Sequence, residues 1–207
     1  MKKPLLAAFC CLLPAGGAVA QDPLALEKWT KAKTIFYRLE GSYSAKTLIS
    51  EPNGGAWADV TDRVAVDFEW DLRNMKLVRV VRLENAPSKA SNVRQMEPTC
   101  APPLPRGAYE HWTVLEVASG LSGQLEMKVE TTIPDVDTPQ FCTGKPKAFK
   151  GRKNVRPEEV SVLSPIFLGM PLGASSDVKV SDDRKSLVMK KDGWTWTFTP
   201  SLTKPSA

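Results

Sequence analysis

Histidine is all but missing from this chain. His111 is the only one among 207 residues, so any Ser–His–Asp, Cys–His or histidine–metal scheme must pass through that position. No GxSxG elbow, HExxH pair, glycine-rich phosphate loop or N-glycosylation sequon accompanies it. Nothing in the sequence calls for a cofactor.

Long apolar runs are lacking too. Beyond residue 20 no stretch approaches the roughly 20 residues a membrane helix needs, so no membrane span is expected. Residues 1–20, MKKPLLAAFCCLLPAGGAVA, instead have the parts of a secretory signal peptide. Lys2 and Lys3 open it, Leu5 to Leu13 form a short apolar middle, and Ala18-Val19-Ala20 is a small-residue cleavage site. A lipid anchor on Cys10 or Cys11 is disfavoured because neither is followed by an obvious mature start. The expected product is a single β domain, residues 21–207, in the periplasm or fully secreted.

Cysteine is scarce: of four, two lie in the leader. Cys100 and Cys142 remain, and an even pair in an oxidising compartment predicts one disulfide. Closing a loop of about 40 residues would constrain the unfolded chain by on the order of 4 kcal/mol. No CxxC spacing supports a redox or metal role. Strong charge is missing as well: without the leader, 28 basic residues become 26 against 23 acidic. That balance does not call for nucleic acid.

Helical periodicity is rare. Asp22 and Pro23 could start a short helix over 23–33; beyond it the period changes to two. Tyr43, Ala45, Thr47 and Ile49 alternate with polar residues. The clearest strand is DRVAVDFEWDL, in which Val64, Val66, Phe68, Trp70 and Leu72 share one face. Turning at Arg73-Asn74 sets Trp70 opposite Leu77, Val66 opposite Val81, Val64 opposite Leu83 and Asp71 opposite Lys76, with Arg79 uncomfortably opposite Phe68. A loop is expected from about Asn85 to Gly107. A second hairpin, turning over Gly120–Gly123, aligns Trp112, Val114 and Ala118 with Thr131, Val129 and Leu125; the two cysteines flank its ends. The basic stretch TPQFCTGKPKAFKGRKNVRPEE has neither period and reads as a loop. VSVLSPIFLGMPLG, broken by Pro165 and Pro171, reads as one short strand or a helical turn. At the end, Asp192-Gly193 is a strong two-residue hairpin signal. It pairs Lys191 with Trp194, Met189 with Trp196 and Leu187 with Phe198, with Val178 and Val180 on the same face. Trp196 and Phe198 belong in the core; Trp194, beside the turn, is expected to be the exposed one. The fold class is mainly β: seven to nine antiparallel strands in a sandwich or a strongly curved sheet.

Three polar features compete for function. His111 shares a strand face with Thr113, Leu115, Thr132 and Glu130, so Glu130 or Glu110 could orient its ring. Asp67, Glu69 and Asp71 stand about 6.5–7 Å apart along one strand, a spacing that could suit an inverting glycosidase pair. A solvated strand face, partly neutralised by Lys76 and Arg82, has the same look. No Asp/Gly-rich calcium loop is present. The basic run Lys145, Lys147, Lys150, Arg152, Lys153 and Arg156 could hold an anionic polymer or an acidic protein, but it lacks the aromatics of single-strand nucleic-acid binders. SDVK (Ser176 to Lys179) and SLTK (Ser201 to Lys204) match SxxK only in spelling. The expectation is an extracytoplasmic, non-enzymatic binding module. Its partner would be an envelope protein, in an inhibitor- or immunity-like role, or an anionic envelope polymer. A small hydrolase using His111 or the Asp67/Glu69/Asp71 row is the rival.

Overall fold

The alternating run after Arg63 does what its period demands. A computed structural model describes residues 23–51, 54–95, 111–121, 123–133, 136–139, 146–149, 151–170 and 177–205. In it Val64, Val66, Phe68 and Trp70 are all buried. Residues 1–22, Met96 to Glu110 with Cys100, and Cys142 lie outside the described residues.

In chain order the elements are α1 (Pro23–Lys31), β1 (Thr34–Glu51), β2 (Gly54–Asp71), β3 (Lys76–Gln95), β4 (His111–Ser119), β5 (Gln124–Ile133), β6 (Val136–Pro139), β7 (Pro146–Phe149), β8 (Arg152–Ser161), a 3-10 helix (Pro165–Gly169), β9 (Val178–Val180), β10 (Leu187–Lys191) and β11 (Trp194–Ser201). Six strands form one sheet in the order β3-β2-β1-β11-β10-β9, and a three-stranded sheet runs β4-β5-β8. All the pairings are antiparallel. The arrangement is sandwich-like, not a closed barrel. Eleven strands are described, above the expected seven to nine.

Between the sheets the two inner faces interdigitate. Ile35, Tyr37 and Leu39 of β1, Leu187 and Met189 of β10 and the three aromatics of β11 meet Trp112 and Val114 of β4 and Leu125, Met127 and Val129 of β5. Tyr37 stacks on Phe68 at 5.3 Å between centroids and meets Phe198 edge-on at 6.3 Å. Trp29 of α1 and Leu168 of the 3-10 helix also belong to this core. Burying the Tyr37 hydroxyl requires a partner, and it donates to the Leu163 carbonyl at 2.8 Å. Gly41 is there because nothing larger fits: an added Cβ would stand 2.2 Å from the Trp196 ring.

The β10–β11 register is the one the Asp192-Gly193 turn predicts, pair for pair. Both turn residues adopt positive φ, 50° at Asp192 and 83° at Gly193. Trp194, however, is not exposed; it is 5% accessible. Its ring stacks on Trp196 at 4.6 Å, and Tyr43 of β1 and Trp112 of β4 close over it at 5.2 and 5.8 Å. The covering rings come from strands distant in sequence.

Two other registers slip. Trp70 faces Leu77 and Asp71 faces Lys76 as expected, but irregularities at Glu69/Trp70 and Asp67/Phe68 then shift Val66 onto Leu83 and Val64 onto Asn85. The first shift removes the mismatch of Arg79 with Phe68. Arg79 moves opposite Glu69 and pairs with it at 2.8 Å. In β4–β5 the expected Trp112–Thr131 and Val114–Val129 pairs form, but an irregularity between Val114 and Glu116 moves Ala118 onto Glu126 instead of Leu125. Such bulges place one extra residue on one strand and re-aim those that follow.

Two stretches expected as loops are strands. Residues 85–95 extend β3, which is the sheet's edge, where Pro87 is tolerated because the free side needs no donor. The basic stretch supplies β7 and β8. The paired strands β5/β8 and β6/β7 keep one register across their interruption: Ile133 faces Arg152, and three residues on Val136 faces Phe149.

Candidate functional site

The carboxylate row is in place, but each member is already engaged. Asp67 is only 3% accessible, not solvated as expected, because Arg38 of the neighbouring β1 stands directly opposite and reaches both its oxygens at 3.2 Å. Arg38 also donates to Glu40 at 3.0 Å. Glu69 is held by Arg79. Asp71 accepts from the Asn74 and Arg73 backbone N–H groups at 2.9 and 2.8 Å and from the Asn74 amide at 2.8 Å. These bonds, the Asn74 backbone one foremost, hold its carboxyl below the ordinary range. Arg82, expected to neutralise the row, pairs instead with Glu84. The row is held by ion pairs at Asp67 and Glu69 and by a turn at Asp71.

Glu130 is likewise committed. It accepts from the Thr132 hydroxyl at 3.0 Å and from Lys153 at 3.2 Å, which together lower its carboxyl, the Thr132 bond most. His111 stands opposite Thr132 at the start of β4. Asp62 lies within electrostatic reach of this ring.

Asp62 was not singled out from the sequence. It is buried on the core-facing side of β2, accepting from the Trp112 backbone N–H at 3.1 Å and from the Ser88 hydroxyl. Burial pushes its carboxyl up, against the pull of those two bonds. The signal was legible: Asp62 occupies the phase of Val60 and Val64, where an alternating strand points inward.

Of the basic run, Lys145 and Lys150 lie outside the described residues, and Lys147 falls in β7. Arg152, Lys153 and Arg156 belong to β8. Lys153 is paired with Glu130. Arg156 meets Glu158 at 2.8 Å while its guanidinium lies 4.3 Å over the Trp112 ring, a cation–π contact. The run from Arg152 to Pro157 is exposed at every position, on both faces of the strand, and Val155 is 46% accessible. Among the described residues only β5 pairs with β8, and no described strand lies along its other edge. Cys100 and Cys142 lie outside the described residues, as does Ser176 of the first SxxK. Ser201 of the second spends its hydroxyl on the Thr203 carbonyl at 2.9 Å.

The described residues enclose several hollows. A polar groove of about 700 Å³ crosses the outer face of the large sheet between Arg38, Arg63, Glu84 and Thr195. Two smaller ones, of about 640 and 410 Å³, share Trp29. No group of three His, Cys, Asp or Glu suited to a metal occurs among the described residues, and no helix among them is long and apolar enough to cross a membrane. No known protein family, curated protein or solved structure matches this chain.

Proposed function

We propose that this chain is an extracytoplasmic, non-enzymatic binding module for a partner protein, in an inhibitor- or immunity-like role. On this reading the partner docks an acidic extended segment along β8. The observation that carries it is the open, basic edge: Arg152 to Pro157 exposes both faces of an edge strand whose outer side has no described partner. Unpaired edges are templates for strand addition, with main-chain bonds supplying affinity and alternate side chains supplying selectivity. Arg152, Lys153 and Arg156 favour carboxylates and steer their approach. An anionic envelope polymer shares that chemistry but makes no use of an open backbone edge. The leader-like residues 1–20 support placement outside the cytoplasm.

The test is photocrosslinking from a reactive residue installed at Val155, in envelope extract at low and high salt, beside an Arg152→Glu/Lys153→Glu variant. The expected outcome is one protein adduct that salt diminishes and the double variant loses by roughly tenfold. Crosslinks to glycan alone, or a protein adduct indifferent to the double variant, would sink the proposal.

A further inference from the structure

We infer that the hollow between α1, the 3-10 helix and the end of β11 is a binding site for a small organic monoanion with an apolar body. It lies apart from the β8 edge and does not depend on it. Its volume of about 640 Å³ falls within the usual range of ligand pockets. Among the described residues its walls hold three cations, Lys28, Arg184 and Lys185, and no acidic side chain. Its apolar surface comes from Trp29, Leu168, Pro200 and Leu202.

Arg184 is the key member. It sits at φ 54°, in the left-handed region that an arginine seldom adopts. A local network holds it there. The Ser181 hydroxyl donates to Asp183 at 2.7 Å and accepts from the Lys185 and Ser186 backbone N–H groups at 3.2 and 3.0 Å. Strain maintained by surrounding bonds is a marker of functional positions. The guanidinium donates through Nε and Nη2 to the Leu168 carbonyl at 3.1 and 2.7 Å. Those bonds fix its orientation without cancelling its charge. Lys28 lies 4.6 Å over the Trp29 ring, and Lys185 has only a loose, exposed contact with Asp183 at 3.7 Å, a kind of pair worth little.

Charge complementarity therefore selects an anion, and the apolar wall selects a body that needs shelter from water. Leu202, 48% accessible, is the apolar surface such a body would cover. Phosphate or sulfate would leave that wall wet, and a polyanion would need an open row of charges in place of a hollow.

The probe is decanoate, titrated calorimetrically into the full mature chain, with decanol as the uncharged comparator. Binding should saturate at one site, with decanol roughly tenfold weaker or worse. Replacing two exposed lysines, Lys28→Gln/Lys185→Gln, should weaken decanoate by about tenfold while leaving decanol unchanged. Amide shifts should move around Lys28–Trp29, Leu168–Gly169 and Arg184–Lys185. Equal affinity for decanoate and decanol would overturn the inference. So would shifts confined to the neighbouring hollow of Trp70, Leu72 and Ile166, or association only with anionic phospholipid vesicles and none with the monomer.

Discussion

Asn85 and Val114 exchange two hydrogen bonds, each 2.9 Å: the Asn85 amide nitrogen donates to the Val114 carbonyl, and the Val114 N–H donates to the Asn85 amide oxygen. An amide side chain here imitates one residue of a pairing strand. It ties β3, the edge of the large sheet, to β4, the edge of the small one. Two residues away, Asp62 takes the Trp112 N–H in the same manner. The sandwich is thus joined at one border by side chains that satisfy the backbone of an edge strand.

Asn85→Ala removes both bonds and leaves two partly buried backbone groups to find water. The expected cost is roughly 2 kcal/mol, measured as a lower urea midpoint with an unchanged slope. Asn85→Asp keeps the acceptor but loses the donor, and should fall between the two.

Gly41→Ala drives a methyl into the Trp196 ring, 2.2 Å away. The ring is backed by Trp194, so it cannot yield without disturbing a second indole. A loss of roughly 1–3 kcal/mol is expected, visible as a lower thermal midpoint. An unchanged midpoint would mean the rings can move freely.

Tyr37→Phe leaves the Leu163 carbonyl without its buried donor. Roughly 1–2 kcal/mol should be lost, with the near-ultraviolet circular dichroism of the aromatic core retained.

Asp62 predicts a pH dependence. Its folded carboxyl is pushed above the ordinary range, mainly by burial. The folded state therefore holds its proton above the unfolded pKa of about 3.9, where the unfolded state has lost it. That contribution to stability is present at low pH and declines as pH rises through the raised folded value. Asp71 and Glu130, whose carboxyls are lowered, act oppositely and lose stability as pH falls. Comparing wild type with Asp62→Asn isolates the term. The unfolding free energy of wild type minus variant should decrease from pH 4 upward and then level. A difference that rises with pH would refute the assignment.

The sequence was legible where a constraint was local. The Asp192-Gly193 turn set the whole β10–β11 register because two residues with positive φ leave one way to pair. Phe68 and Trp70 faced inward as their alternation required. Legibility failed where another strand intervened. The shift at Glu69/Trp70 sets Arg79 opposite Glu69, and Trp194 is covered by Tyr43 and Trp112. Asp67 was taken for a solvated carboxylate because its partner, Arg38, lies 29 residues earlier.

By itself, then, the order of residues determined that this chain forms pleated ribbons and which side of each is apolar, since a period of two admits no other packing. Only the tertiary structure decided which polar groups are spent holding the layers together, such as Asn85, Asp62 and Arg38, and which have no described partner strand, as along β8. Those outcomes depend on which strand stands next to which, and neighbours in a sheet are chosen by burial over the whole chain.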